Sequence, residues 1–430
     1  MIRYFKRHAW LFALIAFLLL FPQALSSQAR LNNRVLITGL ALDKVENGYE
    51  ITAQVVMPTS GSESGGEGAN LNFITETGAS LVEGIKKISY NIGEIAGLSH
   101  TNFIILGESL FDDNIIADLD YFIRDATLPN SMMLLFCEGS AKDQMTKTGD
   151  LEISVGLGLQ KVYLYKQESL NSRMVALQEF IDFAYEHARV SVLPKINITK
   201  EGEDDSGGNQ DSSDGSSTSS SQSSSGGATS GTSSSAPKSS DTKQGRIEYF
   251  TPLAYFKDGF YVDTISEQNQ IIAYLLTQNN SNRFDIVINN VTGGEIYHNA
   301  EVGLRVGKKT CDIETDFSGA KPKLKITIGL DKIKLMEVRN EGVAYEGTYA
   351  SLQPYLNETL NSAIRNQIKE NITSIFEKTK AQNVDIFRAA DNAYKFNKDE
   401  WQEYLKSVKD ISNYIADFEI EVVVDLKTFI

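Results

Sequence analysis

Four histidines and two cysteines are all that a chain of 430 residues offers here for metal binding, nucleophilic attack by sulfur or proton transfer near neutral pH. The histidines are His8, His100, His187 and His298. None is spaced as a ligand set, and no H-E-x-x-H occurs. Glu186 and His187 are neighbours on a helical stretch, which sends their side chains to different faces. Ser99-His100 sets a hydroxyl beside an imidazole, the pair used in acyl transfer. The fold, not sequence adjacency, normally assembles such a pair, so these residues read as the turn into the next strand. No G-x-S-x-G elbow and no P-loop are present, and Val155-Gly156-Leu157-Gly158 is a bare G-x-G without the third glycine.

Adjacent carboxylates occur at Asp112-Asp113 and Asp204-Asp205. The first pair suits the positive end of a following helix, and nothing in either points to an acid pair of the glycosidase kind, which is defined by spatial separation. Cys137 and Cys311 sit in apolar or strand-like surroundings. Two cysteines make neither a disulfide framework nor a four-ligand zinc site. They are expected to be small buried side chains, with one long-range disulfide as the open alternative. The sequence carries no enzyme signature, and no catalytic, cofactor-binding or metal-ligating residue is expected.

Periodicity predicts the elements that would hold any site. Val35, Ile37, Gly39 and Ala41 alternate, as do Tyr49, Ile51, Ala53, Val55 and Met57, and Asn47-Gly48 between them signals a hairpin. A helix is predicted over 77–90, with Leu81, Ile85 and Ile88 on one face. Further helices are expected at 115–124 and 174–185, and buried strands at 103–107 and 132–137. Leu324, Ile326 and Ile328 alternate with polar residues. Leu356, Leu360, Ile364, Ile368, Ile372 and Ile375 form one stripe on a long helix, with Pro354 at its start. Phe418, Ile420, Val422, Val424 and Leu426 predict a final antiparallel strand with one solvated face. The expected class is α+β: several domains of mixed sheets and packed helices, the last an antiparallel sheet covered by a long helix.

The net charge of −15 repels nucleic-acid phosphates and anionic headgroups, which sets nucleic-acid binding aside. Arg3, Lys6 and Arg7 precede an apolar run from Trp10 to Phe21, and small residues follow. This run is shorter than the roughly 20 residues needed to span a bilayer. Residues 1–29 thus read as a signal peptide or N-terminal anchor of an exported protein. Residues 201–245 open with Glu201, Glu203, Asp204 and Asp205 and continue as a Ser/Gly tract with almost nothing to bury. They are expected to be disordered, as a linker or an expanded surface loop. They divide an N-terminal region, 30–200, from a C-terminal domain, 246–430.

Several segments stand out in order: Leu40-Ala41-Leu42-Asp43 with Gln54-Val55-Val56-Met57-Pro58; Ser99-His100 leading to Ile104-Ile105-Leu106-Gly107-Glu108; Leu119-Asp120-Tyr121-Phe122-Ile123-Arg124-Asp125; Ala254-Tyr255-Phe256-Lys257-Asp258-Gly259 with Glu267; Lys321 to Ile326 with Glu337; and Val384-Asp385-Ile386-Phe387 with Trp401. Together they resemble the Ger(x)C family, the C subunits of nutrient germinant receptors. The resemblance implies a non-catalytic, membrane-associated receptor subunit in spore germination. It would lie on the outer face of the spore inner membrane or the cell membrane, and act by protein–protein contacts with multi-spanning A- and B-type subunits. Residues 20–30 lack the family's lipobox cysteine, so lipid anchoring is not expected, and an uncleaved N-terminal helix or the partners would hold the chain. The alternatives are an exported cell-envelope binding protein unrelated to sporulation and an exported hydrolase. Asp43, Gln54, Gly107, Glu108, Arg124 and Asp125 are expected as turn, cap and ion-pair residues or as partner contacts, with Arg124 and Asp125 forming a structural pair between domain elements.

Overall fold

The computed structural model describes residues 34–57, 70–93, 95–125, 127–148, 157–200, 245–248, 250–278, 283–345 and 349–430. The expected signal or anchor, the acidic Ser/Gly tract and Val155-Gly156 lie outside these residues.

The first sheet begins with β1 (Arg34–Val45) and β2 (Gly48–Met57), an antiparallel hairpin in which Val45 pairs with Gly48. Gly48 takes φ 138°, and a Cβ there would meet Gly78 O at 2.1 Å. β3 (Asn70–Gly78) extends the hairpin, so Thr77 ends a strand rather than starting a helix. Ser80 caps α1 (Leu81–Ile92), whose Leu81, Ile85 and Ile88 are buried as the periodicity predicts. β4 (Ile95–Gly97), β5 (Phe103–Leu106) and β6 (Met133–Phe136) complete the sheet in parallel on the other side of β1, with α2 (Ile115–Arg124) between β5 and β6. A bulge between Ile37 and Gly39 interrupts the β1 alternation. Such an extra residue reverses which face the following side chains enter. Hence Val35, Ile37, Leu40 and Leu42 share one core cluster, while Ala41 joins Phe103 and Ile105 in another.

Helices α3 (Ala141–Lys147), α4 (Leu157–Glu168) and α5 (Leu177–Tyr185) follow, then β7 (Val190–Pro194) and β8 (Ile198–Lys200). After residue 244 come β9 (Gly245–Ile247), β10 (Leu253–Lys257) and β11 (Phe260–Ile265). β8 pairs antiparallel with β9, setting Lys200 opposite Gly245, and the middle sheet runs β11-β10-β7. Strands from both sides of the Ser/Gly tract therefore share ladders. Buried Arg173 adds to this joint, donating to Tyr274 OH at 3.1 Å and Gln278 at 2.9 Å and pairing with Glu179 at 2.5 Å.

Beyond α6 (Gln268–Leu276), the C-terminal sheet is built from β12 (Phe284–Gly293), β13 (Tyr297–Asp316), β14 (Lys323–Asn340) and β15 (Val343–Ala344). Buried Lys309 on β13 donates to the carbonyls of Leu275 and Leu276, both at 2.9 Å, and so caps the end of α6. The long helix α7 (Glu358–Ala381) starts at Asn357, which caps Leu360 N–H, and Pro354 lies in the 3-10 segment before it. Its Leu360, Ile364, Ile368, Ile372 and Ile375 are buried. α8 (Ala389–Phe396), α9 (Lys398–Ser407) and β16 (Glu419–Leu426) close the chain. β16 pairs with β14 in parallel, not antiparallel. The helices between them make the long crossover that a parallel return requires, while the alternation reports only that one face is solvated. The class is α+β with mixed sheets.

Candidate interaction site

Asp43, Gly107 and Glu108 gather at the start of α3, and Gln54 reaches its other end at Thr148. Asp43 Oδ1 accepts Ala141 N–H at 2.8 Å, and Oδ2 accepts Lys142 N–H at 3.0 Å and the Ser140 hydroxyl at 3.3 Å. A carboxylate is well placed there because the first helical N–H groups lack partners and carry partial positive charge. Glu108 accepts Gly139 N–H at 2.8 Å and donates its own N–H to Gly139 O at 3.1 Å. Buried Gln54 accepts Thr38 Oγ1 and donates to Thr148 Oγ1, both at 2.9 Å. Asp43, Gln54, Gly107 and Glu108 are thus brought together as locks holding α3 on the sheet.

Arg124 and Asp125 do not pair. Arg124 is exposed and bridges Asp120 at 2.8 Å, one turn back on α2. Asp125 turns the other way and accepts Thr127 N–H at 2.9 Å and Thr127 Oγ1 at 2.7 Å. The helix ends at this point, so two neighbours in sequence face different surroundings.

The remaining reactive residues are scattered. Ser99 Oγ lies 3.1 Å from His100 Nδ1 on an exposed 3-10 turn. His298 N–H donates to Asn340 at 3.2 Å. Asp113 is tied to Lys44, while Asn114 caps α2. Cys137 and Cys311 are both free, and burial pushes the Cys137 thiol up to about 12. Among the described residues, no three of His, Cys, Asp and Glu are grouped to hold a metal.

Among the described residues, a concave surface lies where α2, α5, the β10–β11 turn and the C-terminal helical layer meet. Two adjoining cavities of about 560 and 510 Å³ share Tyr185, Arg189 and Asp258. Trp401, Leu405 and Ile411 line the second. Arg189 and Asp258 both hold left-handed backbone, at φ 54° and 52°. They are fixed by Asp258 N–H to Arg189 O at 3.0 Å and by a side-chain ion pair at 3.2 Å. Asp258 and Gly259 form the two-residue β10–β11 turn, where positive φ matches the twist of the flanking strands. Lys257 reaches Asn383 O at 2.5 Å and Ser412 O at 3.1 Å, and burial lowers its pKa. The His187 ring lies tilted against Tyr394 with ring centroids 3.8 Å apart, and the His187 backbone N–H donates to Asp391 at 2.7 Å. Arg388 bridges Glu186 and lies over Phe183 at 3.8 Å.

Below the groove, Asp385 repeats the Asp43 arrangement. It accepts Ala389 N–H and Ala390 N–H, each at 2.8 Å, and Tyr414 OH at 2.7 Å. Burial raises its carboxyl pKa, against the pull of these three donors. Tyr185, Arg189 and Arg388 were not legible as site residues, because their partners come from distant segments. The Asp258-Gly259 turn is the one local signal, since glycine there takes φ 84°.

This two-part arrangement has counterparts among known proteins. Residues 27–198 match the spore germination protein N-terminal domain, and residues 251–428 match the spore germination B3/GerAC-like C-terminal domain. The class is thus that of spore germination proteins with both GerAC-type domains. The chain belongs to the Ger(x)C family. Over 112 residues, 25% of this chain, it is 32% identical to spore germination protein B3 of Bacillus subtilis (strain 168), and the match spans 29% of that relative. A crystal structure of the GerBC protein superposes over 91% of this chain and 97% of its own, at 15% identity and a TM-score of 0.45.

Proposed function

We propose that the chain is a non-catalytic C-type subunit of a membrane-associated nutrient germinant receptor. It works through protein–protein contacts with multi-spanning A- and B-type subunits, exported to the outer face of the membrane. The observation that carries this reading is the groove around Tyr185, Arg189, Asp258 and Trp401, joined to membership of a spore germination family. Aromatic residues and arginine over a rigid frame are the composition that dominates interface energetics. The N- and C-terminal regions of the proposed domain division both contribute to that groove. Among the described residues no helix is long and apolar enough to cross a membrane.

The test is cross-linking in membranes of sporulating cells, followed by capture through a C-terminal tag. Recovery of multi-spanning membrane proteins that survives high salt is expected. Recovery of the chain alone, or in the soluble or wall fraction, would overturn the reading in favour of an exported envelope-binding protein.

A further inference from the structure

The second cavity, of about 510 Å³, has the size of a small-molecule site. Trp401 and Leu405 from α9 line it, together with Ile411 and Tyr414 from the 3-10 segment Ile411–Asp417. Trp401 and Tyr414 are buried and meet edge to face, with ring centroids 5.2 Å apart, so this wall is apolar and preformed.

Lys257, the last residue of β10, lines the same cavity. Its ammonium donates to the backbone carbonyls of Asn383 and Ser412. An ammonium has three N–H groups, and among the described residues the third meets no acceptor and the charge no ion-pair partner. The carboxylates around it are engaged elsewhere. Asp258 pairs with Arg189 at 3.2 Å, Asp410 accepts the N–H and hydroxyl of Ser412 at 2.9 and 2.6 Å, and Asp385 is enclosed by Ala389, Ala390 and Tyr414. Burial lowers the Lys257 pKa in spite of these three carboxylates, and Arg189 adds to the positive field. The free N–H thus lacks an acceptor and a counter-charge in a place partly withdrawn from water, where a charge-assisted hydrogen bond is strongest.

We infer that this cavity binds a small organic anion, a carboxylate on a bulky apolar body. The carboxylate accepts from Lys257 Nζ, and the body lies against Trp401, Leu405 and Ile411. This stands apart from the receptor reading, because it concerns a free molecule and not a partner chain.

The probe is 3-phenylpropanoate, titrated into the purified full chain carrying Trp10→Phe, which leaves Trp401 as the one tryptophan. The emission of Trp401 then reports on the cavity wall. The neutral comparison is 3-phenylpropanamide. Saturable binding of the carboxylate is expected, with the amide about tenfold weaker, the difference between a charge-assisted and a neutral hydrogen bond. In Lys257→Gln the acid and the amide should bind alike. That change also touches the contact with Ser412, so circular dichroism checks the fold. Ile411→Glu, at an exposed position, gives a second reading: its charge should weaken the carboxylate by about tenfold and spare the amide. Absence of saturable binding by the carboxylate would overturn the proposal, and so would equal affinities for acid and amide in the parent chain. So would a preference for the acid that persists in folded Lys257→Gln or, should that chain not fold, in Ile411→Glu.

Discussion

Asp43 and Gly107 touch so closely that residue 107 has no room for a side chain: a Cβ there would lie 2.0 Å from Asp43 Oδ1. The same oxygen holds Ala141 N–H at the start of α3. Gly107→Ala must push the carboxylate off the helix, and Asp43→Ala leaves two N–H groups and a hydroxyl without their acceptor. Each is expected to cost about 2–3 kcal/mol, the scale of an unmade buried bond plus a lost cap. Denaturant unfolding checks this, and a loss below about 0.5 kcal/mol, the scale of an ordinary surface change, would show that the lock is not structural.

The clasp of β8 on β9 makes a second prediction. Lys200 and Gly245 already lie opposite each other, so residues 201–244 can be replaced by Asn-Gly, a turn suited to a two-residue hairpin. The shortened chain should fold and gain on the order of 2 kcal/mol from cheaper loop closure. Failure to fold would contradict the paired ends.

Arg173 tests whether the regions before and after that tract unfold together. Its guanidinium is buried and joins Glu179 on α5 to Tyr274 and Gln278. Arg173→Ala should cost about 3 kcal/mol, as breaking a buried pair does. It should lower one cooperative calorimetric transition. Two separated transitions in the parent chain would contradict the shared sheet.

How much of this was legible in the sequence depends on the range of the contacts. The stripe from Leu360 to Ile375 and the alternation from Ile420 to Val424 come from local periodicity, and both faces are where the pattern puts them. Partners of Asp43 lie near residue 141, and those of Gln54 reach Thr148. Types and spacing mark such residues as special without saying what they meet. Gly39 was part of an apparent alternation, yet a bulge beside it changes the face, and a Cβ there would strike the Phe103 ring at 2.4 Å. β13 was not predicted although Ala300, Val302, Leu304 and Val306 alternate on its buried side, because beyond Val306 the next buried position is Lys309, which ends the apolar pattern. The pairing of β7 with β10 crosses the Ser/Gly tract, which composition alone presents as a division.

Stability should fall in alkali. Tyr49 and Tyr121 are each raised to about 12, first by burial, then by Asp118 and Asp125 respectively. An unfolded tyrosine loses its proton near its ordinary value of about 10. The folded protein therefore binds more protons between about 10 and 12. The stabilisation is complete below about 10 and is lost as pH rises through about 12. Denaturant midpoints measured on both sides of this window should drop with pH, with tyrosinate absorbance rising as the chain unfolds. A flat profile would contradict the raised values of these partly buried phenols.

The most direct test of the receptor account is quantitative capture from cross-linked membranes with the groove altered. Tyr185→Asp and Arg189→Glu change exposed positions at the shared part of the two cavities. Circular dichroism and thermal unfolding first establish that each variant is folded. The parent chain is then expected to bring down multi-spanning membrane proteins, and the double variant about tenfold less, the loss expected when an aromatic and an arginine anchor are removed together. Equal recovery with both chains, or none with either, would contradict the claim that this groove joins the chain to its membrane partners.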